Sequence, residues 1–189
     1  SSMRGAWKNS PSGPMRTGTR QGAMSSFLPD VLTRIGEALG LSAQARRQAL
    51  AGSLLLSADN GHAVHPNFPE KADPANKVYP NGGVVIKYSA NQKYTTTGLT
   101  AGLFQALCQK AGVPVQVFAN RADEPGGSTL GNLLGHQVSI PMVDIGMAQL
   151  AMHSAVETAG SRDPEYMARA CAAFFQAEFT QTADGVYQF

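Results

Sequence analysis

Two cysteines, Cys108 and Cys171, stand 63 positions apart with no C-x-x-C or other ligand spacing. That excludes a disulfide framework and a thiolate zinc site, and reduced, buried thiols in a cytoplasmic protein are the simplest expectation. No apolar run approaches the roughly 18 residues needed to cross a bilayer, and no signal-like segment opens the chain, so no membrane association is expected. Charged residues make up only 15% of the chain, against roughly 25% in typical soluble domains. So little charge fits a unit with a face meant to be covered. Acidic residues are missing from the start altogether: Arg4, Lys8, Arg16 and Arg20 precede the first acid, Asp30. Setting those four aside leaves eleven basic residues against thirteen acidic ones behind the formal charge of +2. No aromatic-basic pattern or amphipathic period accompanies this Pro/Gly/Ser-rich start, so it reads as a solvated or disordered segment and not as a nucleic-acid contact.

What is present suffices for one sizeable core, since 189 residues are 43% hydrophobic. Phe27, Leu28, Val31, Leu32, Ile35 and Leu39 recur at helical spacing, with Ser25 or Ser26 as cap and Gly40 as stop. A second helix, Ala43 to Leu50, follows Ser42, and residues 53–58 read as a fully buried strand. Val84 to Tyr88 is a further strand, followed by a turn near Asn91 and a helix carrying Leu99, Leu103, Phe104 and Leu107. Val115 to Phe118 is a third strand, and residues 124–127 a tight connection. A short helix near Ser128 to Leu134, a strand from Ser139 to Ile145, and helices near Met147 to Glu157 and Pro164 to Phe179 complete the pattern. Alternation of this kind predicts a three-layer α/β domain with a mostly parallel or mixed sheet.

In such sheets reactive groups gather just past the carboxyl ends of strands. Ser57-Ala-Asp-Asn-Gly-His-Ala-Val-His-Pro-Asn67 places Asp59, His62 and His65 there. Carboxylate oxygen and imidazole nitrogen both suit zinc. A hydrogen-bonded structural loop accounts for the spacing as well.

That segment is a signature of the aspartyl aminopeptidase family of zinc exopeptidases, and further matches follow in family order. Gly82-Gly-Val-Val-Ile-Lys87 with Asn91-Gln-Lys-Tyr94 resembles its G-P-V-I-K and N-x-Q-x-Y stretch, with Gly83 in place of proline. Val113-Pro-Val-Gln116, Arg121-Ala-Asp123 and Gly127-Ser-Thr-Leu-Gly131 resemble its V-P-x-Q, R-x-D and G-S-T-x-G segments. Val143-Asp-Ile-Gly146 and Gln149-Leu-Ala-Met-His-Ser154 with Glu157 resemble its closing D-x-G and Q-L-A-M-H-S-x-x-E. The resemblance runs from about Thr17 to Phe179. It implies a partial zinc-exopeptidase-like αβα domain over residues 17–189, preceded by an unrelated segment, 1–16.

The resemblance further implies a two-zinc centre in which Asp59 binds one ion and His153 the other. It implies that Lys87 receives an acidic substrate side chain, while Tyr94, His62 and His65 line the pocket for substrate or transition state. His62 and His65 have a loop-pinning alternative, Asp123 and Asp144 read as caps or turn acceptors, and Glu157 as a structural partner on a helix. Family members hydrolyse N-terminal residues from peptides and assemble into large shells, so a peptide substrate and a homo-oligomer are expected. Their general base belongs to a Glu-Glu pair a few residues before a segment like Thr19-Arg-Gln-Gly-Ala23; here the corresponding stretch is Ser12-Gly-Pro-Met-Arg-Thr17. The family's upstream histidine ligand, bridging aspartate and oligomerisation domain also precede this region. With no catalytic glutamate, the chain itself is expected to be inactive or nearly so, as a truncated enzyme or as a non-catalytic binding or assembly module.

Overall fold

The computed structural model describes residues 24–90, 93–121, 123, 129–183 and 186–188. The stretch Ser12 to Thr17, the expected turn at Asn91 and the connection 124–127 lie outside these residues. Helices α1 (Phe27–Ala38) and α2 (Ala43–Ala51) come first. The Ser42 hydroxyl caps α2 by accepting from the Ala45 N–H at 3.1 Å, as the sequence predicts. Strand β1 (Leu55–Ala58), the two-residue β2 (Gly61–His62) and β3 (Val84–Tyr88) follow. Helix α3 (Gly98–Lys110) starts at a reciprocal cap, in which the Thr97 hydroxyl accepts from Thr100 N–H and the Thr100 hydroxyl from Thr97 N–H. Then come β4 (Val115–Ala119), α4 (Leu130–Gly135), β5 (Met142–Gly146), β6 (Ala148–Leu150), β7 (Thr158–Ala159) and α5 (Asp163–Gln176). A hairpin, β8 (Thr180–Ala183) and β9 (Val186–Gln188), follows.

The main sheet has the order β1-β5-β3-β4 and is mixed: β1 runs parallel to β5, β3 parallel to β4, and β3 antiparallel to β5. Because side chains alternate across a strand, Val84, Ile86, Val143 and Ile145 face one side. There they pack with Ala101, Phe104 and Cys108 of α3 and Ala170 of α5. Ser57, Val85, Lys87 and Asp144 face the other side. This side carries α4 and the small sheet β2-β6-β7, with Ala63, Val78, Val85 and Ala148 as a second core. The α/β layering expected from the alternation is therefore present, with the polar residues of the central strands all on one face.

Three expectations are corrected. The strand over 53–58 is shorter and not fully buried: Leu55 and Leu56 are half-buried and Ala58 is exposed, because β1 forms a sheet edge. Residues 147–157 do not form a helix. Their backbone groups are taken by the segment after β1: Gly61 N–H donates to Met147 C=O, Ala63 N–H to Gln149 C=O, and Asn60 Oδ1 accepts from Met147 N–H. Ala151 and His153 then adopt left-handed φ values of 55° and 68°, which a helix cannot contain. The last helix ends at Gln176 instead of Phe179, and the chain continues into the unforeseen hairpin.

Gly83 explains the family's missing proline. Its φ is +100°, and its N–H donates to Asp163 Oδ1 at 3.3 Å. Proline has neither that φ nor that donor.

Candidate metal and substrate site

The carboxyl end of β1 delivers Asp59 beside the end of β5. Asp59 N–H donates to Ile145 C=O at 2.9 Å, and the backbones approach so closely that a Cβ on Gly146 would lie 2.0 Å from Asp59 C=O. Gly146, the glycine of the D-x-G motif, is thus needed for Asp59 to sit where it does. Asn60 secures the next step, donating from Nδ2 to Gln149 Oε1 at 2.8 Å while accepting from Met147 N–H. These bonds carry the Asp59 loop along β6, three residues short of His153. The pairing of β2 with β6 sets His62 against Gln149.

His153 is held by its backbone. Its N–H donates to Glu157 Oε1 at 2.6 Å, so Glu157 is a local partner as expected, though across a turn and not along a helix. His62 is pushed below the usual histidine range by desolvation, then by the neighbouring His153 and Lys87. Lys87 is only 1% exposed, with its ammonium 5.1 Å from the Tyr94 ring centroid. Desolvation lowers its pKa, and Asp59 and Asp144 oppose that shift. Burial raises the Tyr94 phenol, which bonds Asn120. Asp59, His62, Lys87, Tyr94, Asp144 and His153 therefore share one electrostatic neighbourhood.

His65 is set apart. It stacks at 5.2 Å on Phe68 and, through Nδ1, accepts from Asn67 N–H at 3.1 Å, the loop-pinning role. With His62, Phe68, Phe118, Asn120 and Arg121 it lines a cavity of about 370 Å³, and Phe118 of that lining meets the Tyr94 ring at 6.4 Å. Asp123 pairs with Arg121 at 2.7 Å, and Asp144 accepts from Thr95, so both behave as structural acceptors.

Among the described residues no group of three or more His, Cys, Asp or Glu is gathered so as to hold a metal ion. Asp59 and His153 fit zinc in kind, one carboxylate and one imidazole, but two donors do not close a two-ion site. Gly146 and Asp144 stand in the D-x-G motif and Asn60 beside Asp59, but the sequence does not show what they support: the importance of Gly146 lies in a backbone contact, and the partners of Asn60 and Asp144 lie 89 and 49 residues away.

A family model described as Peptidase_M18, aminopeptidase I zinc metalloprotease (M18), matches residues 16–175. The chain belongs to this family. It is 44% identical over 160 residues to a probable M18 family aminopeptidase 2 of Mycobacterium tuberculosis, a match covering 85% of the chain and 37% of that protein. It thus spans little more than a third of the curated M18 relatives it matches. Among solved structures it superposes with TM-score 0.82 and 41% identity on a chain of the Ape4 and Nbr1 complex, over 85% of this chain and 30% of that one. It superposes with TM-score 0.72 and 30% identity on a chain of the Saccharomyces cerevisiae mApe1 dodecamer, over 84% and 34%. These M18 neighbours share the α/β architecture.

Proposed function

We propose that residues 17–189 form the C-terminal part of the catalytic domain of a cytoplasmic, homo-oligomeric zinc aminopeptidase that removes N-terminal, preferentially acidic, residues from peptides. The observation that carries this proposal is the clustering of the signature residues Asp59, His62, Lys87, Tyr94 and His153 on one face and end of the sheet in a chain of the M18 family. In this reading Asp59 and His153 each hold one of two zinc ions. Zinc bound there supplies an acidified water and polarisation of the scissile carbonyl. Lys87 pairs with the carboxylate of an N-terminal Asp or Glu; since it is almost fully buried, the incoming group requires a local shift of its cover, to which the Tyr94 ring belongs. His62 stays neutral near pH 7 and can accept or donate one hydrogen bond to the bound peptide.

No residue before Asp30 is acidic, so the chain brings no glutamate to act as base in the family's position. The zinc-loaded chain should release no measurable aspartate from an aspartyl anilide, and robust zinc-dependent turnover would contradict this. Zinc titration by calorimetry tests the ligands: binding should weaken by about 10- to 100-fold in Asp59→Ala and in His153→Ala. Wild-type affinity in both variants would remove the basis of the proposal. The missing glutamate also favours a second reading, a non-catalytic binding or assembly module of the same family. A reading frame upstream of the Thr17 codon that encodes a Glu-Glu pair would decide for the enzyme.

A further inference from the structure

Asp144 lies outside the ligand set, yet it is fully buried (0% exposed) on the same sheet face. Its Oδ2 accepts from Thr95 N–H at 2.6 Å and from the Thr95 hydroxyl at 2.9 Å, and its own N–H donates to Thr96 Oγ1 at 2.9 Å. Its Oδ1 meets no donor among the described residues. A Cβ on Gly131 would come within 3.0 Å of that oxygen, so it is packed in and not open to water. A buried carboxylate oxygen without a donor is costly, and a nearby charge offsets that cost. The antiparallel register of β3 and β5 pairs Val85 with Gly146 and Ile86 with Ile145; continued by one residue, it sets Lys87 opposite Asp144. Directly opposed side chains on one sheet face have Cβ atoms only about 4.5–5.5 Å apart. Lys87 is itself buried, and its ammonium lies against the ring of Tyr94, the residue next to Thr95.

We propose that Asp144 is the positioning residue of the Lys87 site: through Thr95 it seats the Tyr94 ring against the Lys87 ammonium, and its unpartnered oxygen supplies the buried negative charge that steadies this cation for an acidic substrate side chain. The last clause rests on the acidic-residue preference proposed above; the positioning itself does not. Asp59 is the other carboxylate whose charge acts on Lys87, and it belongs to the metal ligands proposed above whereas Asp144 does not.

The test is NMR on the chain labelled with 13C at lysine Cε. Six lysines are present, and Lys87→Arg assigns the Lys87 signal by its loss. In the wild type the Lys87 ε-methylene protons should be shifted upfield by the Tyr94 ring. Asp144→Ala should abolish most of that shift, and Thr95→Val should reduce it. Asp144→Asn, which keeps an acceptor for Thr95 but drops the charge, should keep the shift while acetylation of Lys87 by a water-soluble active ester speeds up several-fold. A merely structural acceptor would leave that acetylation rate unchanged. Wild-type shift and acetylation rate in the Asp144 variants would overturn the proposal, and if Asp144→Ala fails to fold, Asp144→Asn and Thr95→Val decide it. Adding aspartic acid amide separates the two readings. A Lys87 signal that responds to the variants but not to the amide leaves the positioning intact and defeats the acidic preference; the reverse defeats the positioning alone.

Discussion

Lys87 carries a charge into a place that solvent scarcely reaches, and desolvation is the largest influence on it. Replacing it with methionine keeps the bulk and removes a charge whose desolvation outweighs the attraction of Asp59 and Asp144, so Lys87→Met should stabilise the chain at neutral pH. Calorimetric melting checks the sign. The folded-state pKa lies below the ordinary 10.5, so the folded chain binds that proton less tightly than the unfolded one. The penalty is present below the folded-state pKa and fades as pH rises through it toward 10.5, and the advantage of Lys87→Met should shrink over that range. An unchanged or lower melting temperature at pH 7 would show that Asp59 and Asp144 more than repay the burial. Gly146 illustrates the opposite kind of residue, needed for what it lacks. Gly146→Ala places a Cβ against Asp59 backbone atoms at 2.0 and 2.8 Å. It should cost about 1–3 kcal/mol in denaturant unfolding and weaken zinc binding with Asp59 displaced. Both motifs containing these residues are visible in the sequence. Their physical content is not, because close approach and burial depend on which strands become neighbours.

At the scale of elements, local signals were sufficient wherever they were not contested. Ser42 marks a helix start that the structure keeps, and Thr97 caps the helix expected to carry Leu99 to Leu107. Thr97→Ala should remove the reciprocal cap of α3 at a cost of about 1 kcal/mol. That corresponds to a melting temperature lower by about 2–4 °C. The apolar spacing of Met147, Leu150, Ala151 and Met152 imitates a helix, but tertiary pairing with residues 60–63 claims their backbone instead. The C-terminal hairpin had an overlooked signal, Asp184-Gly185, between two segments of strand character. Cysteine chemistry was read correctly in part: Cys108 is buried on α3 with its thiol pushed up to about 12, while Cys171 is half-buried. Iodoacetamide at pH 8 should therefore label Cys171 first and Cys108 only on unfolding, as mass spectrometry of tryptic peptides would show.

For the whole molecule, the low charge expected to accompany a covered face is matched by apolar exposure on α1, where Phe27 is 61%, Ile35 51% and Leu39 69% exposed. Strands β1 and β4 end the main sheet with unpaired edges among the described residues. Both features suit a unit built to be joined by other surfaces. The chain's fold and family follow from motifs and alternation, whereas the proposed meeting of Asp59 and His153 is one that no spacing encodes. The most direct test of that meeting is a crystal of the chain soaked in saturating zinc and measured at the zinc absorption edge. Anomalous zinc density should lie about 2.0–2.2 Å from a carboxylate oxygen of Asp59 and from an imidazole nitrogen of His153. Zinc bound elsewhere, with these two side chains directed into separate regions, would contradict a shared metal centre.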